Sequence, residues 1–388
     1  MLLLLIWLFV GIFCIGFSGA YFFYTRTMAK KPWNLKIDET YQPSVAILVP
    51  VHNEEKTIQL KLLNLSKVIY PKEKVEAILV NDASTDGTLD EVRKFTASNQ
   101  SLKIGIFDSR THLGKTKCLN LALKSLTADV IVVSDADCFW SSDVLLKAIP
   151  YLSDPSIGAI TAREILLNPQ DSWVTRGEQL YDDNMKAVKT GESKVHSTIF
   201  FHGGFAAFKR ELVTEFDPEV DDSGTALNIV QMNKRTLLIP EVGFYTPFPT
   251  LWRNKIALKI RRASNLQHLE AKCLNLMLRR KLVIPKRIAI PQIVLHIFNP
   301  LILTALAVIS VFVFIQYPLL FLALLVLFGA ALLVKRARTT IFEAIQDNLI
   351  LLFALGSFFT RKKFKLWTTV QESRTLITAN ALKEKNLI

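Results

Sequence analysis

VIVVSDADCFW, residues 130–140, runs four β-branched apolar residues into Ser134 and then into Asp135-Ala136-Asp137. The apolar run reads as a buried strand. Two carboxylates one residue apart at its end repel each other unless a cation sits between them. Taken alone, the stretch is equally compatible with solvated acids at a strand end, so the flanking sequence decides.

Working outward, SVAILVPV (44–51) reads as a second buried strand and residues 55–68 follow with helical apolar spacing. EAILVND (76–82) and KIGIFD (103–108) read as strands, with helices at 87–98 and 115–126. Strand–helix alternation predicts an α/β fold with a mostly parallel, Rossmann-like sheet covered on both faces. Ligands of such sheets bind beyond the carboxyl ends of the strands. Three strands end there in polar clusters: PVHNEE (50–55), NDASTDGT (81–88) and SDADCFW (134–140). Their convergence makes the Asp pair functional. Neither GxGxxG nor GxxxxGK[ST] occurs, which removes support for dinucleotide and P-loop sites. Helices beginning at Gly87-Thr88 and near Lys115 offer N-termini to phosphate. An acid pair, a divalent cation and a diphosphate form a chemically complete set.

Half of the 388 residues are apolar. Residues 251–388 hold 21 Lys+Arg against 5 Asp+Glu, which leaves residues 1–250 slightly acidic. Basic charge beside apolar runs points to lipid headgroups or an anionic substrate, and no nucleic-acid motif accompanies it. The four cysteines are scattered without zinc spacing, which argues against disulfides and suits a cytoplasmic location for the polar part. Residues 2–24 are uncharged and followed by Arg26, Lys30 and Lys31, so a span with its outer end at the N-terminus is expected. Residues 288–314 and 318–334 read as a helical hairpin flanked on both sides by Lys and Arg. The run 341–359 carries Glu343, Gln346, Asp347 and Asn348 between KRAR and RKKFK. It reads as interfacial or re-entrant, with a true span as the alternative. The expected organisation is a transmembrane helix (1–25), a cytoplasmic catalytic domain (43–250), amphipathic interfacial helices (251–286), a transmembrane hairpin (287–334), the re-entrant segment (341–360) and a cytoplasmic tail (361–388).

Seven short motifs occur in order: VPVHNEE, NDASTDGT, GKTKCLN (114–120), SDADC, HGGFAAFKRE (202–211), VDDSGTALNI (220–229) and FPTLWRNKIALKIRRA (248–263). Together they resemble the family 2 glycosyltransferases of GT-A fold, in the membrane-bound branch with cellulose, chitin and hyaluronan synthases and lipid-linked sugar transferases. The resemblance implies that Pro50, His52, Glu54 and Asp82 surround the nucleotide base. Asp135 and Asp137 would hold the nucleotide and a magnesium or manganese ion. Lys115, Gly203 and Gly204 fall in matching motifs and join the substrate-binding set. Asp222 matches the acid of the Thr-Glu-Asp stretch and would be the general base. Arg261 and Arg262 would face the diphosphate or the acceptor.

The chain departs from the family in two places. Val220-Asp221 stands where Thr-Glu is usual, and Lys259-Ile-Arg-Arg262-Ala263 replaces Gln-x-x-Arg-Trp. Loss of the Trp removes the platform on which processive synthases rest the acceptor sugar. Cys138 is not assigned to the metal, because a thiol is a poor ligand for a hard cation. A helix is expected over 223–234, with Asp222 just before it. Ile256, Ile260, Ala263, Leu269, Cys273 and Leu276 form an apolar stripe on an interfacial helix. His112, His196, His268 and His296 read as structural, and His202 as a candidate for the acceptor cleft. The resulting expectation is an inverting membrane glycosyltransferase of the cell membrane, multi-pass, acting from a nucleoside-diphosphate sugar on a lipid-linked or glycan acceptor. Its rivals are a processive, secreting polysaccharide synthase and a non-catalytic sugar-nucleotide-binding scaffold.

Overall fold

Every residue of Val45–Val51 (β1) is buried, as a strand covered on both faces requires. Val45, Ile47, Val49 and Val51 enter one core and Ala46 and Leu48 the other, because side chains alternate along a strand. The structure is a computed structural model that describes residues 1–359 and 371–388. The basic cluster at 361–365 and the start of the expected tail lie outside the described residues. These form two units, 28–254 with 371–388, and 1–27 with 255–359.

In the first unit, β1 lies between β2 (Val75–Asp82) and β4 (Val130–Val133), parallel to both, and β3 (Lys103–Ser109) continues the parallel edge. α2 (Ile58–Ser66) covers one face through Ile58, Leu62 and Leu65. α3 (Thr88–Ser98) adds Val92 and Phe95 to the same core. α4 (Lys115–Leu123) covers the other face through Cys118, Leu119, Ala122 and Leu123. The chain then adds β5 (Phe139–Trp140), α5 (Val144–Ala148), β6 (Ile157–Leu166), α6 (Trp173–Val195), β7 (Ala206–Lys209), α7 (Asp221–Gln231) and β8 (Arg235–Thr246). The eight-stranded order is β3-β2-β1-β4-β7-β6-β8-β5. β7 is antiparallel to β4 and β6, β5 is antiparallel to β8, and β6 and β8 are parallel. The sheet is therefore mixed, with its parallel half at β3-β2-β1-β4.

Pro50 sits inside β1 without costing a ladder bond. Ser134 N–H donates to Leu48 O at 2.9 Å, so Leu48 faces β4. Pro50, two residues on, faces the same edge, where the pairing with β4 has ended at Leu48–Val133. The sheet opens there, at the point where β2 and β4 flank β1 on opposite sides, which is where this class of sheet binds ligands.

The C-terminal residues belong to this unit. α13 (Gln371–Thr375) and α14 (Ala379–Glu384) bring Ile377, Leu382 and Leu387 into a small core with Phe139 and Leu167. Asn64 Nδ2 donates to Leu387 O at 2.7 Å. Glu372 accepts from the backbone N–H groups of Thr250 and Leu251 at 2.8 and 3.1 Å.

The second unit is helical. α1 (Leu2–Ala29) enters it at the N-terminus, and α8 (Trp252–Leu278) lies mostly within it. α9 (Lys286–Ile293) runs through one π turn (Val294–Phe298) into α10 (Asn299–Gln316), then α11 (Pro318–Leu333) and α12 (Lys335–Phe359) follow. Leu2–Ala29, Lys286–Gln316 and Lys335–Gly356 are long and apolar enough to cross a membrane. α11 has 16 residues. At 1.5 Å per residue it reaches about 24 Å, short of a hydrocarbon core of about 30 Å. The run 341–359 lies in one uninterrupted helix, and its acids are matched. Lys255 Nζ lies 2.7 Å from Glu343 Oε2, and Lys259 Nζ 2.9 Å from Asp347 Oδ1. The stripe on α8 packs Ile256, Ile260 and Ala263 against Ile350, Leu351 and Ala354.

Candidate active site

The carboxyl ends of β1, β2 and β4 bring the polar clusters together. Asn53 and Ala83 take left-handed backbone, φ 58° and 54°, just past β1 and β2. Asp82 is 1% exposed, and its carboxylate accepts the backbone N–H groups of Leu113 and Gly114 at 2.6 and 2.8 Å. It thereby fixes the loop that starts α4. His112 Nδ1 lies 2.9 Å from the same carboxylate. His52 Nδ1 lies 2.7 Å from Asp82 O, and the two imidazoles overlap with centroids 4.2 Å apart. His112, read from sequence as merely structural, thus joins His52 at the end of β2.

Lys115, the first residue of α4, lies between two acids. Its Nζ is 2.8 Å from Asp135 Oδ1 and 3.4 Å from Asp222 Oδ2. Burial alone would lower its pKa, but Asp135, Asp222 and Asp221 raise it well above the ordinary lysine value, so it is a fixed cation. Asp222 is 5% exposed, and its Oδ1 has no hydrogen-bond partner among the described residues. Burial pushes its pKa up to about 6; Lys115 opposes the rise, while Asp221 and Asp135 add to it. Helix α7 begins two residues earlier than the expected 223, so Asp222 is its second residue rather than the one before it. Asp221, at φ 45°, accepts a hydrogen bond from the Thr116 hydroxyl and ties the start of α7 to the start of α4.

Asp135 donates its N–H to Gly203 O at 2.7 Å. A Cβ on Gly203 would meet Asp135 Oδ2 and Lys115 Nζ at 2.5 Å, so only glycine lets the backbone come this close. A Cβ on Gly204 would run into the Phe244 ring, and Gly204 O accepts from Trp140 Nε1 at 2.8 Å. Oxygen and sulfur atoms of Asp135, Asp137 and Cys138 lie within 4.8 Å of one another. Arg374, from α13, pairs with both Asp137 and Glu54. Burial raises the pKa of Glu54, with Arg374 opposing. Asp137 is half-buried, and Arg374 holds it below the ordinary carboxylate value against the effect of desolvation.

Pro50, His52, Glu54, Asp82, Lys115, Asp135, Asp137, Gly203, Gly204 and Asp222 all belong to the unit that carries the sheet, whereas Arg261 and Arg262 lie on α8 in the helical unit. His202 contacts Lys189 Nζ through Nε2 at 2.6 Å, with Glu164 Oε2 3.6 Å from Nδ1. Sequence reading missed Arg374. It lies 237 residues from Asp137 in a short polar stretch with no periodicity, and nothing local marks it.

The mixed α/β sheet, with acids and a fixed lysine at the mouth of its parallel half, is of the GT-A type, and the comparisons with known proteins place it among glycosyltransferases. The sequence profile of Glycosyl transferase family 2 matches residues 46–216. The mannosyltransferase PcManGT of Pyrobaculum calidifontis, solved in complex with GDP-Man and Mn2+, is 31% identical. Its superposition has a TM-score of 0.79 over 93% of this chain and 99% of that one. A beta-monoglucosyldiacylglycerol synthase of Nostoc sp. is 31% identical over 136 residues, 35% of this chain and 29% of the relative. A poly-beta-1,6-N-acetyl-D-glucosamine synthase of Staphylococcus aureus is 27% identical over 203 residues, 51% of this chain and 47% of the relative. The matches therefore span less than half the length of these two curated relatives. The chain belongs to glycosyl transferase family 2.

The crowding at Gly203 yields a test. Gly203→Ala places a Cβ 2.5 Å from both Asp135 Oδ2 and Lys115 Nζ, so one or both must move from the observed positions. Misplacement on the scale of 1 Å costs about 100-fold in rate, so transfer should fall by roughly that factor while circular dichroism and elution volume stay unchanged. A folded Gly203→Ala variant with wild-type transfer would show that the close approach is dispensable.

Proposed function

We propose that this protein is an inverting, metal-dependent membrane glycosyltransferase. It moves a sugar from a nucleoside-diphosphate donor to a hydroxyl of a lipid-linked or glycan acceptor. The observation that carries the reading is the Asp135–Lys115–Asp222 arrangement, with Asp222 Oδ1 left open. The complex of the mannosyltransferase relative with GDP-Man and Mn2+ supports the donor class and the cation.

The acid pair fits a hard divalent cation, magnesium or manganese. Asp135 and Asp137 supply oxygen ligands. The Cys138 thiol stays protonated, because burial and the neighbouring acids raise its pKa well above the ordinary value. Arg374 on Asp137 shows that the position accepts positive charge. When bound, the ion neutralises charge on the departing diphosphate. The chain's own residues do the rest. Lys115 lies between Asp135 and Asp222 and opposes the rise that burial imposes on the Asp222 pKa. Asp222 takes the proton of the acceptor hydroxyl as that oxygen bonds to the anomeric carbon, and the bond to the diphosphate breaks on the opposite face. One displacement inverts the configuration.

Single addition is favoured over polymerisation. Ala263 stands in place of the platform Trp and is 7% exposed, packed against Ile350 and Ala354. The helices support a bilayer location with the sheet unit cytoplasmic, judged from the basic residues flanking the apolar runs. Packing of residues 371–388 on the same unit as 28–254 supports an even number of crossings between them on this reading. Lys286–Gln316, α11 and α12 therefore do not all span. A cysteine introduced at exposed position 380 should resist a membrane-impermeant reagent in intact cells and react after permeabilisation; labelling in intact cells contradicts this topology.

The Asp222 assignment carries its own pH signature. A base must be ionised, so turnover should rise as pH increases through about 6 and level off above it. Asp222→Asn should lower kcat by about 10²–10⁴-fold and abolish this limb, with little change in donor affinity. Normal turnover in the Asn variant would remove Asp222 from the mechanism.

A further inference from the structure

Helix α2 buries a lysine that the transfer chemistry does not use. Lys61 is fully buried, on a helix whose neighbouring buried positions Ile58, Leu62 and Leu65 are apolar. It makes no ion pair among the described residues. Its Nζ donates to Ser134 Oγ at 2.6 Å and to Cys138 O at 2.5 Å, and lies 5.0 Å from the centre of the Trp140 ring. One turn further along α2, Asn64 grips the next part of the same segment. Its Oδ1 accepts Trp140 N–H at 2.9 Å and its Nδ2 donates to Trp140 O at 2.8 Å. The turn closes on itself through Cys138 N–H to Asp135 O at 3.1 Å.

We propose that Lys61 is a positioning residue for the acid pair: from beneath, its ammonium clamps Ser134 and Cys138, the residues on either side of Asp135–Asp137, and so sets the spacing of the two carboxylates. The inference rests on the metal reading above. A role in stability alone explains the residue poorly. Replacing a buried charge with a well-packed apolar group of similar volume is often neutral or stabilising, and an apolar residue would match its neighbours. A role through charge alone predicts the opposite sign, because a nearby ammonium repels a divalent cation. Residues that orient metal ligands from behind typically change metal affinity by about 10–100-fold when removed.

The test is Mn2+ binding to the purified, donor-free full chain, followed by electron paramagnetic resonance, together with thermal unfolding in EDTA. Lys61→Met should retain or raise the unfolding midpoint and weaken Mn2+ binding by about tenfold or more. Ser134→Ala, which removes the Lys61 contact together with the hydroxyl's donation to Gly204 O at 3.2 Å and leaves the charge, should weaken Mn2+ binding in the same direction by a smaller factor, and it decides the matter if Lys61→Met does not fold. Unchanged or tighter Mn2+ binding in the folded variants overturns the positioning role while leaving the metal site standing. If the wild-type chain binds no Mn2+, the metal reading fails and the inference fails with it.

Discussion

The ammonium of Lys115 between Asp135 and Asp222 is the interaction on which the site depends. Two like charges about 4 Å apart at an effective dielectric of 20 repel by about 4 kcal/mol. Two ionised carboxylates close together therefore need a cation between them. Lys115 can fill that place because Asp82 fixes the two backbone N–H groups just before it. Asp221, held to Thr116, brings α7 and hence Asp222 to the same spot. Gly203 leaves the room that a side chain would take. Residues from β2, β4, α4, α7 and the Gly-Gly segment thus serve one charge arrangement.

Two further cations complete it. Arg374 satisfies Asp137 and Glu54 from the C-terminal segment, and Lys61 supports the turn from below. The acid pair is thus surrounded by positive charge supplied by the chain. On the proposed function, a divalent cation held at Asp137 would share that carboxylate with Arg374.

Much of the parallel half was legible from sequence. SVAILVPV, EAILVND and KIGIFD are continuous apolar or alternating runs, and they fold as Val45–Val51, Val75–Asp82 and Lys103–Ser109. The polar clusters at their ends were legible because a strand that stops at a crevice changes composition abruptly. The other half, where antiparallel pairs enter, was less so. β7 has four residues and β5 two, too short to show a period, and the pairing of β8 with β6 is interrupted by register shifts. Asp222 was located by its motif and misplaced only relative to the helix start, since Val220 rather than Asp222 precedes α7. Arg374 and Lys61 were not legible. One acts across 320 residues to Glu54, and the other is a single lysine on a mostly apolar helix face whose target lies 73 residues away.

A single displacement assisted by Asp222 inverts the anomeric centre, so the stereochemistry of transfer reads it directly. The donor is first identified from a panel of α-linked nucleoside-diphosphate sugars by release of nucleoside diphosphate. The anomeric configuration of the transferred sugar is then read from the proton–proton or carbon–proton coupling at its anomeric centre by nuclear magnetic resonance. The account predicts a β-linked product from the α-linked donor. An α-linked product would mean two displacements or a front-face reaction, and would contradict the assignment of Asp222 as a base acting once on the acceptor.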